Sequence, residues 1–138
     1  MTRPSAGSGA LSPHEVANRT PVARHYREEK SKAMKFLQVN YSRAISKHDA
    51  AQAERLTAVA HEIASVPGLL WKVWVYDEDA RVAGGMYLFD SEESARSFGD
   101  GPMESALQSF PGVGDITKRY FDVDDALTGI TRGPIATR

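Results

Sequence analysis

Gln38 and Asn40 stand two residues apart in the run KFLQVNY, Lys35 to Tyr41, and at that spacing an extended chain places both side chains on one face. Paired side-chain amides can hydrogen-bond a carbonyl or an oxyanion without carrying charge themselves. Trp71, Trp74, Tyr87 and Phe89 lie in apolar runs and can wall a cavity for an aromatic ring. Lys72 and Arg119 can stabilise an anion electrostatically; the ordinary alternative for each is a salt-bridged position at a rim. Histidine offers less. His14 and His25 fall near the start of the chain, His48 precedes a helix cap and His61 stands alone, so no triplet has metal-ligand spacing and no metal is expected. Gly84-Gly85 lacks the GxGxxG spacing of a dinucleotide loop and reads as a bulge or a close backbone approach. Without cysteine, thiolate catalysis, cysteine-ligated metals and disulfides are excluded.

The elements that must position these residues fit into one domain. The chain has 138 residues, 41% hydrophobic and 25% charged, an ordinary globular mixture with a net charge of −1. That balance lacks the basic footprint of a nucleic-acid binder, so no nucleic-acid partner is expected. No apolar run approaches the ~20 residues of a membrane span, and the expected location is the cytoplasm. Residues 1–33 are rich in Pro, Gly and Ser and carry six basic against three acidic side chains, whereas residues 34–138 carry eleven against fifteen. The composition predicts a flexible N-terminal extension, 1–33, before a folded domain, 34–138.

Within that domain, alternation predicts a first strand over Lys35 to Tyr41. Asp49 with Gln52 is a capping-box variant, and Leu56, Val59, Ala60 and Ile63 follow at the spacing of an amphipathic helix that Pro67-Gly68 must end. LLWKVWVY, Leu69 to Tyr76, and VAGGMYLF, Val82 to Phe89, are rich in β-branched and aromatic residues and read as a hairpin joined by DEDAR. Asp90 or Ser91 caps a second helix with Glu92 and Glu93 in its first turn and Ala95 and Phe98 on its buried stripe. Gly99, Gly101 and Pro102 interrupt that helix before helical character resumes over Met103 to Phe110. A fourth strand is expected over Ile116 to Val123, and Asp124 to Arg138 reads as extended or irregular. The order βαββαβ predicts an α+β, ferredoxin-like subunit: an antiparallel four-stranded sheet with two helices on one face.

The second strand breaks the alternation of a half-solvated sheet. Leu69, Trp71, Val73 and Val75 fall on one face, and Leu70, Trp74 and Tyr76 make the other nearly as apolar, with Lys72 the exception. Both faces need cover, and two helices cover one. A homodimer packed sheet to sheet is therefore expected, the alternative being the tail or the leader folded over that face.

The segments PGLLWKVW, Pro67 to Trp74, and GGMYLF, Gly84 to Phe89, together with Phe121-Asp122-Val123-Asp124 and Leu127, resemble the YdhR family of monooxygenases, a branch of the dimeric α+β barrel superfamily. The resemblance runs from Met34 to about Pro134. It implies a ferredoxin-like subunit, a sheet-to-sheet dimer, an apolar pocket between sheet and helices, and no cofactor. The implied activity is oxygenation of a small aromatic or polyketide-like molecule that acts as its own reductant. On that footing Asn40, Trp71 and Arg119 are the catalytic candidates, and Gln38, His61, Trp74, Tyr87 and Phe89 the substrate-binding ones. The alternatives are a non-catalytic binding or sensing domain for an apolar metabolite and a haem-binding relative. Asn40 with a nearby Trp and His61 is similar to part of the Asn, Trp and His set of haem-degrading members, although His61 lies on a different helix from theirs.

Overall fold

A computed structural model of the chain describes residues 33–135. The expected extension lies outside the described residues except for Ala33. The element order is β1 (Lys35–Arg43), α1 (Ala50–Ala64), β2 (Leu69–Asp77), β3 (Val82–Phe89), α2 (Glu92–Gly99), α3 (Pro102–Gln108), β4 (Val113–Asp122) and α4 (Asp125–Ile130). The four strands form one antiparallel sheet in the order β2-β3-β1-β4, which is the ferredoxin-like arrangement the βαββαβ order predicted.

Local chemistry sets the element ends. The Asp49 carboxylate accepts from the Gln52 backbone N–H at 2.9 Å and caps α1, and the Ser91 hydroxyl accepts from the Ser94 N–H at 3.1 Å and caps α2. Gly68, with φ of +83°, turns the chain from α1 into β2; a side chain there would collide with Ser94. Pro102 opens α3 at a position that has no intrahelical donor to lose. Two stretches depart from the sequence-based expectation. β4 begins at Val113, three residues early, because Ala44 N–H bonds the Gly112 carbonyl and ties this segment to the end of β1. Asp124, expected to open an extended or irregular tail, instead accepts from Leu127 N–H at 2.9 Å and caps the short α4.

The core lies between the sheet and the helices. Leu37 and Val39 of β1, Tyr87 and Phe89 of β3, Ala95 of α2 and Met103 of α3 form its buried centre. Period-two alternation from these residues assigns the strand positions to faces, apart from the register shifts between Leu69 and Trp71 and between Asn40 and Ser42. Leu37, Val39, Tyr41 and Arg43 face the helices; Phe36, Gln38 and Asn40 face away. On β2 a register shift between Leu69 and Trp71 moves Leu69, expected beside Trp71, onto the helix side, where it packs on the core.

Candidate functional site

A cavity of about 260 Å³ opens between the sheet and the helices. Its roof is the apolar stripe of α1, Leu56, Val59 and Ile63, and its end walls are Phe98, Met103 and Leu107. These α1 residues are only half-buried, because the helix faces a void there and not the sheet. The floor is the helix-side face of β1, β2 and β3: Val39, Tyr41, Arg43, Lys72, Trp74, Gly84, Gly85 and Tyr87.

Lys72 is the chemically distinctive floor residue. Its Nζ lies 3.2 Å from the centroid of the Trp74 ring and 4.7 Å from that of Tyr87, and it forms no ion pair among the described residues. Gly85 makes the room: a Cβ there would stand 2.6 Å from Lys72 Cε, so the lysine stem lies across the glycine. Burial, with no carboxylate to offset it, brings the Lys72 amine down to about 7. Burial acts oppositely on the neighbouring phenols, raising Tyr87 and Tyr41 above the ordinary tyrosine value. Near neutrality the cavity therefore offers phenolic donors beside an amine that can lose or take a proton.

At the other end, Arg43 is 6% exposed and its guanidinium stacks 4.8 Å above the Tyr76 ring. One terminal nitrogen, Nη2, is buried with no hydrogen-bond partner among the described residues. Gln52, also 6% exposed, lines the cavity from the first turn of α1.

The residues singled out in the sequence separate onto different surfaces. Trp74 and Tyr87 line the cavity, whereas Phe89 is fully buried in the core beside Tyr87 and Phe98, with centroids 6.1 and 5.9 Å away. Gln38, Asn40, Trp71 and Arg119 occupy the opposite face of the sheet, since alternation from buried Leu37 and Val39 sends them away from the helices. Gln38 Nε2 donates to Asn40 Oδ1 at 3.0 Å, so the two amides partly satisfy each other. Trp71 packs edge-on against Phe36, whose ring also meets Phe121, and its indole N–H donates to the Pro134 carbonyl. His61 is exposed on α1, outside the cavity lining. Among the described residues, no three His, Asp or Glu side chains gather in a metal-holding group, and no helix is long and apolar enough to cross a membrane. Arg43 went unread in the sequence. Extending the first strand by two residues would have placed it in line with Leu37, Val39 and Tyr41.

Comparison with known proteins agrees with this architecture. The model of the family described as "Putative mono-oxygenase ydhR" matches residues 36–134. The chain belongs to the YdhR family. Among solved structures, the monooxygenase ActVA-Orf6 of Streptomyces coelicolor, in complex with Nanaomycin D, is 22% identical over 78% of this chain and 95% of its own, with a TM-score of 0.52. A protein of Caulobacter crescentus described as a "putative antibiotic biosynthesis monooxygenase" is 19% identical over 72% of this chain and 98% of its own, with a TM-score of 0.51. At these identities the likeness is one of fold. A search of curated proteins finds no match.

Proposed function

We propose that this YdhR-family chain is a cofactor-independent monooxygenase that oxidises a small, electron-rich aromatic or polyketide-like molecule in the cavity under α1. The observation that carries the reading is Lys72, an amine with no ion pair among the described residues, held on the Trp74 face inside an apolar cavity. Dioxygen reacts slowly with closed-shell organic molecules, so the substrate must first become a phenolate, enolate or carbanion able to give up an electron. The neutral Lys72 amine takes that proton as a general base, and the resulting ammonium stabilises the anion it has made. Trp74 and Tyr87 flank the ring, and the apolar roof keeps water from the reactive anion. For a phenol-activated methylene, the two C–H bonds become a carbonyl. One oxygen atom of O₂ enters that carbonyl and the other leaves as water, with all four electrons supplied by the substrate.

The opposite sheet face has a different role in this reading. Phe36, Trp71, Val73 and Phe121 form an apolar surface there, with Gln38, Asn40 and Arg119 beside it, and a second copy of the chain covers it. The haem-binding alternative loses support, because its candidate His61 lies outside the cavity.

Oxygen uptake with a panel of hydroxylated anthrones and quinols tests the proposal. The native protein is expected to consume oxygen and release the carbonyl product, and Lys72→Met to lose at least ~100-fold in rate, the low end of what a general base supplies. Saturable binding without oxygen uptake would overturn the enzymatic reading in favour of a binding domain. Full activity in the variant would remove Lys72 from the chemistry.

A further inference from the structure

We propose that Arg43 forms an anion subsite at one end of the cavity, so that the molecule held there is an aromatic acid with its carboxylate on Arg43 and its ring beneath α1. This rests on the cavity being the ligand site, as in the reading above, and specifies the substrate class.

Three features of Arg43 support the assignment. The residue is more than nine-tenths buried, lines the cavity, and keeps Nη2 out of water with no hydrogen-bond partner among the described residues. A buried, unsatisfied donor on a charged group is costly, and an anionic oxygen would satisfy it once the Arg43 head turns Nη2 toward the cavity that the residue lines. The charged groups around Arg43 are mixed: Glu62 lines the same cavity, and the Glu78 carboxyl is held below its ordinary value chiefly by the Lys47 backbone N–H, with Arg43 contributing. Tyr76 carries the Arg43 guanidinium at 4.8 Å and the Lys47 ammonium at 5.4 Å, whereas the nearby carboxylate, Glu78, already accepts from Ser46 Oγ and the Lys47 backbone N–H at 3.1 and 2.9 Å.

Sheet geometry then sets the ligand's length. The Arg43 head rests on Tyr76 and the Lys72 head on Trp74, two same-face neighbours on β2. Two residues of strand rise set the backbone positions of Trp74 and Tyr76 about 7 Å apart. A benzene or naphthalene ring with a carboxylate at one end and an oxygen function at the other spans that interval. Gln52, whose side-chain amide makes no hydrogen bond to the described residues, supplies a further neutral partner in the lining.

The test is a fluorescence titration of the native protein with 6-methoxy-2-naphthoate and with its methyl ester, which differ in charge and hardly in shape. At pH 8.5 Lys72 is largely uncharged, leaving Arg43 as the lining cation. The acid is expected to bind at least ~10-fold more tightly than the ester, the scale of a charge-assisted hydrogen bond. Arg43→Met should abolish that preference, bringing acid and ester to equal affinity. Equal binding of acid and ester by the native protein would overturn the subsite even if the variant fails to fold, and so would a preference that survives in the variant. Binding of neither compound would overturn both this inference and the cavity reading beneath it. Acid preference without oxygen uptake on any substrate would sink the oxygenase reading alone, and uptake on neutral phenols without acid preference would sink the subsite alone.

Discussion

Taking an ammonium out of water disfavours its charged form, and Lys72 shows the effect without a compensating carboxylate, its amine falling from the ordinary 10.5 to about 7. A depressed lysine makes the native state bind fewer protons than the unfolded chain between about pH 7 and 10.5, so its contribution to stability improves as pH rises through that window. Below pH 7 the full cost is present. Lys72→Met removes this cost, and its melting temperature should exceed the native protein's by ~5 °C or more at pH 6 and by little at pH 10. Thermal melts of the two proteins across that range check it; a pH-independent difference would mean that Lys72 is not desolvated. The catalytic counterpart is oxygen uptake that rises with pH through about 7, as the free amine accumulates. Little of this was legible in the sequence. Lys72 read there as the polar exception in an apolar strand, a cation for an anion or for a rim salt bridge and not a base, because desolvation depends on a cavity built from α1, α2 and α3. Period two did establish that Trp71 and Trp74 point to opposite sides. Which side is the cavity was decided by the packing of Leu37 and Val39.

The elements themselves were easier to read, because caps, breakers and apolar spacing are local signals. Asp49, Ser91 and Pro67-Gly68 do in the structure what their types and spacing suggest, and the positions that misled were those governed by distant partners. Leu69 changes face because β2 shifts register beside it, and β4 starts early because its first residues pair with the end of β1. The α2–α3 corner depends on a similar long-range arrangement. Asp100 accepts from Lys118 Nζ and from Tyr120 Oη, both at 2.7 Å, while Lys118 also reaches Glu104 at 2.9 Å and the Gly99 carbonyl at 2.8 Å. These bonds tie to β4 the corner that carries Phe98 and Met103, two walls of the cavity. They also hold the Asp100 carboxyl below its ordinary value, through Lys118 first and then Tyr120, and Tyr120 is pushed up to about 12, by burial before the Asp100 bond. A depressed carboxylate stabilises the fold above its unfolded value and loses that contribution as pH falls through its folded one. Asp100→Ala is therefore expected to melt below the native protein at pH 7, with the gap closing as the pH drops below the ordinary aspartate range. Parallel melting curves at pH 7 and pH 2.5 check it, and an equal gap at both would assign the loss to packing instead.

At the scale of the whole molecule, strand order and helix placement followed from the order βαββαβ, but a single chain's sequence gives no direct view of what covers the far side of its sheet. The structure narrows the choices. The tail reaches that side through the Trp71–Pro134 hydrogen bond, and Leu88 is 1% exposed, so part of the face is covered from within the chain. Val73 and Phe121 nevertheless remain 48% and 40% exposed on the same face, beside the Phe36–Trp71 and Phe36–Phe121 contacts. Isolated exposed apolar residues need no explanation, but a contiguous aromatic and aliphatic surface on an antiparallel sheet does, and a second copy offers a matching surface through a two-fold axis. Val73 is suited to testing this, since its exposure in the single chain means that a charge there should cost the subunit less than ~0.5 kcal/mol. Buried between two sheets, the same charge would stand unpaired at both symmetry-related positions. Val73→Asp is accordingly expected to turn a two-copy mass by light scattering at micromolar concentration into a one-copy mass, with an unchanged far-ultraviolet circular dichroism spectrum. A native protein that already scatters as one copy would show that the tail's cover suffices.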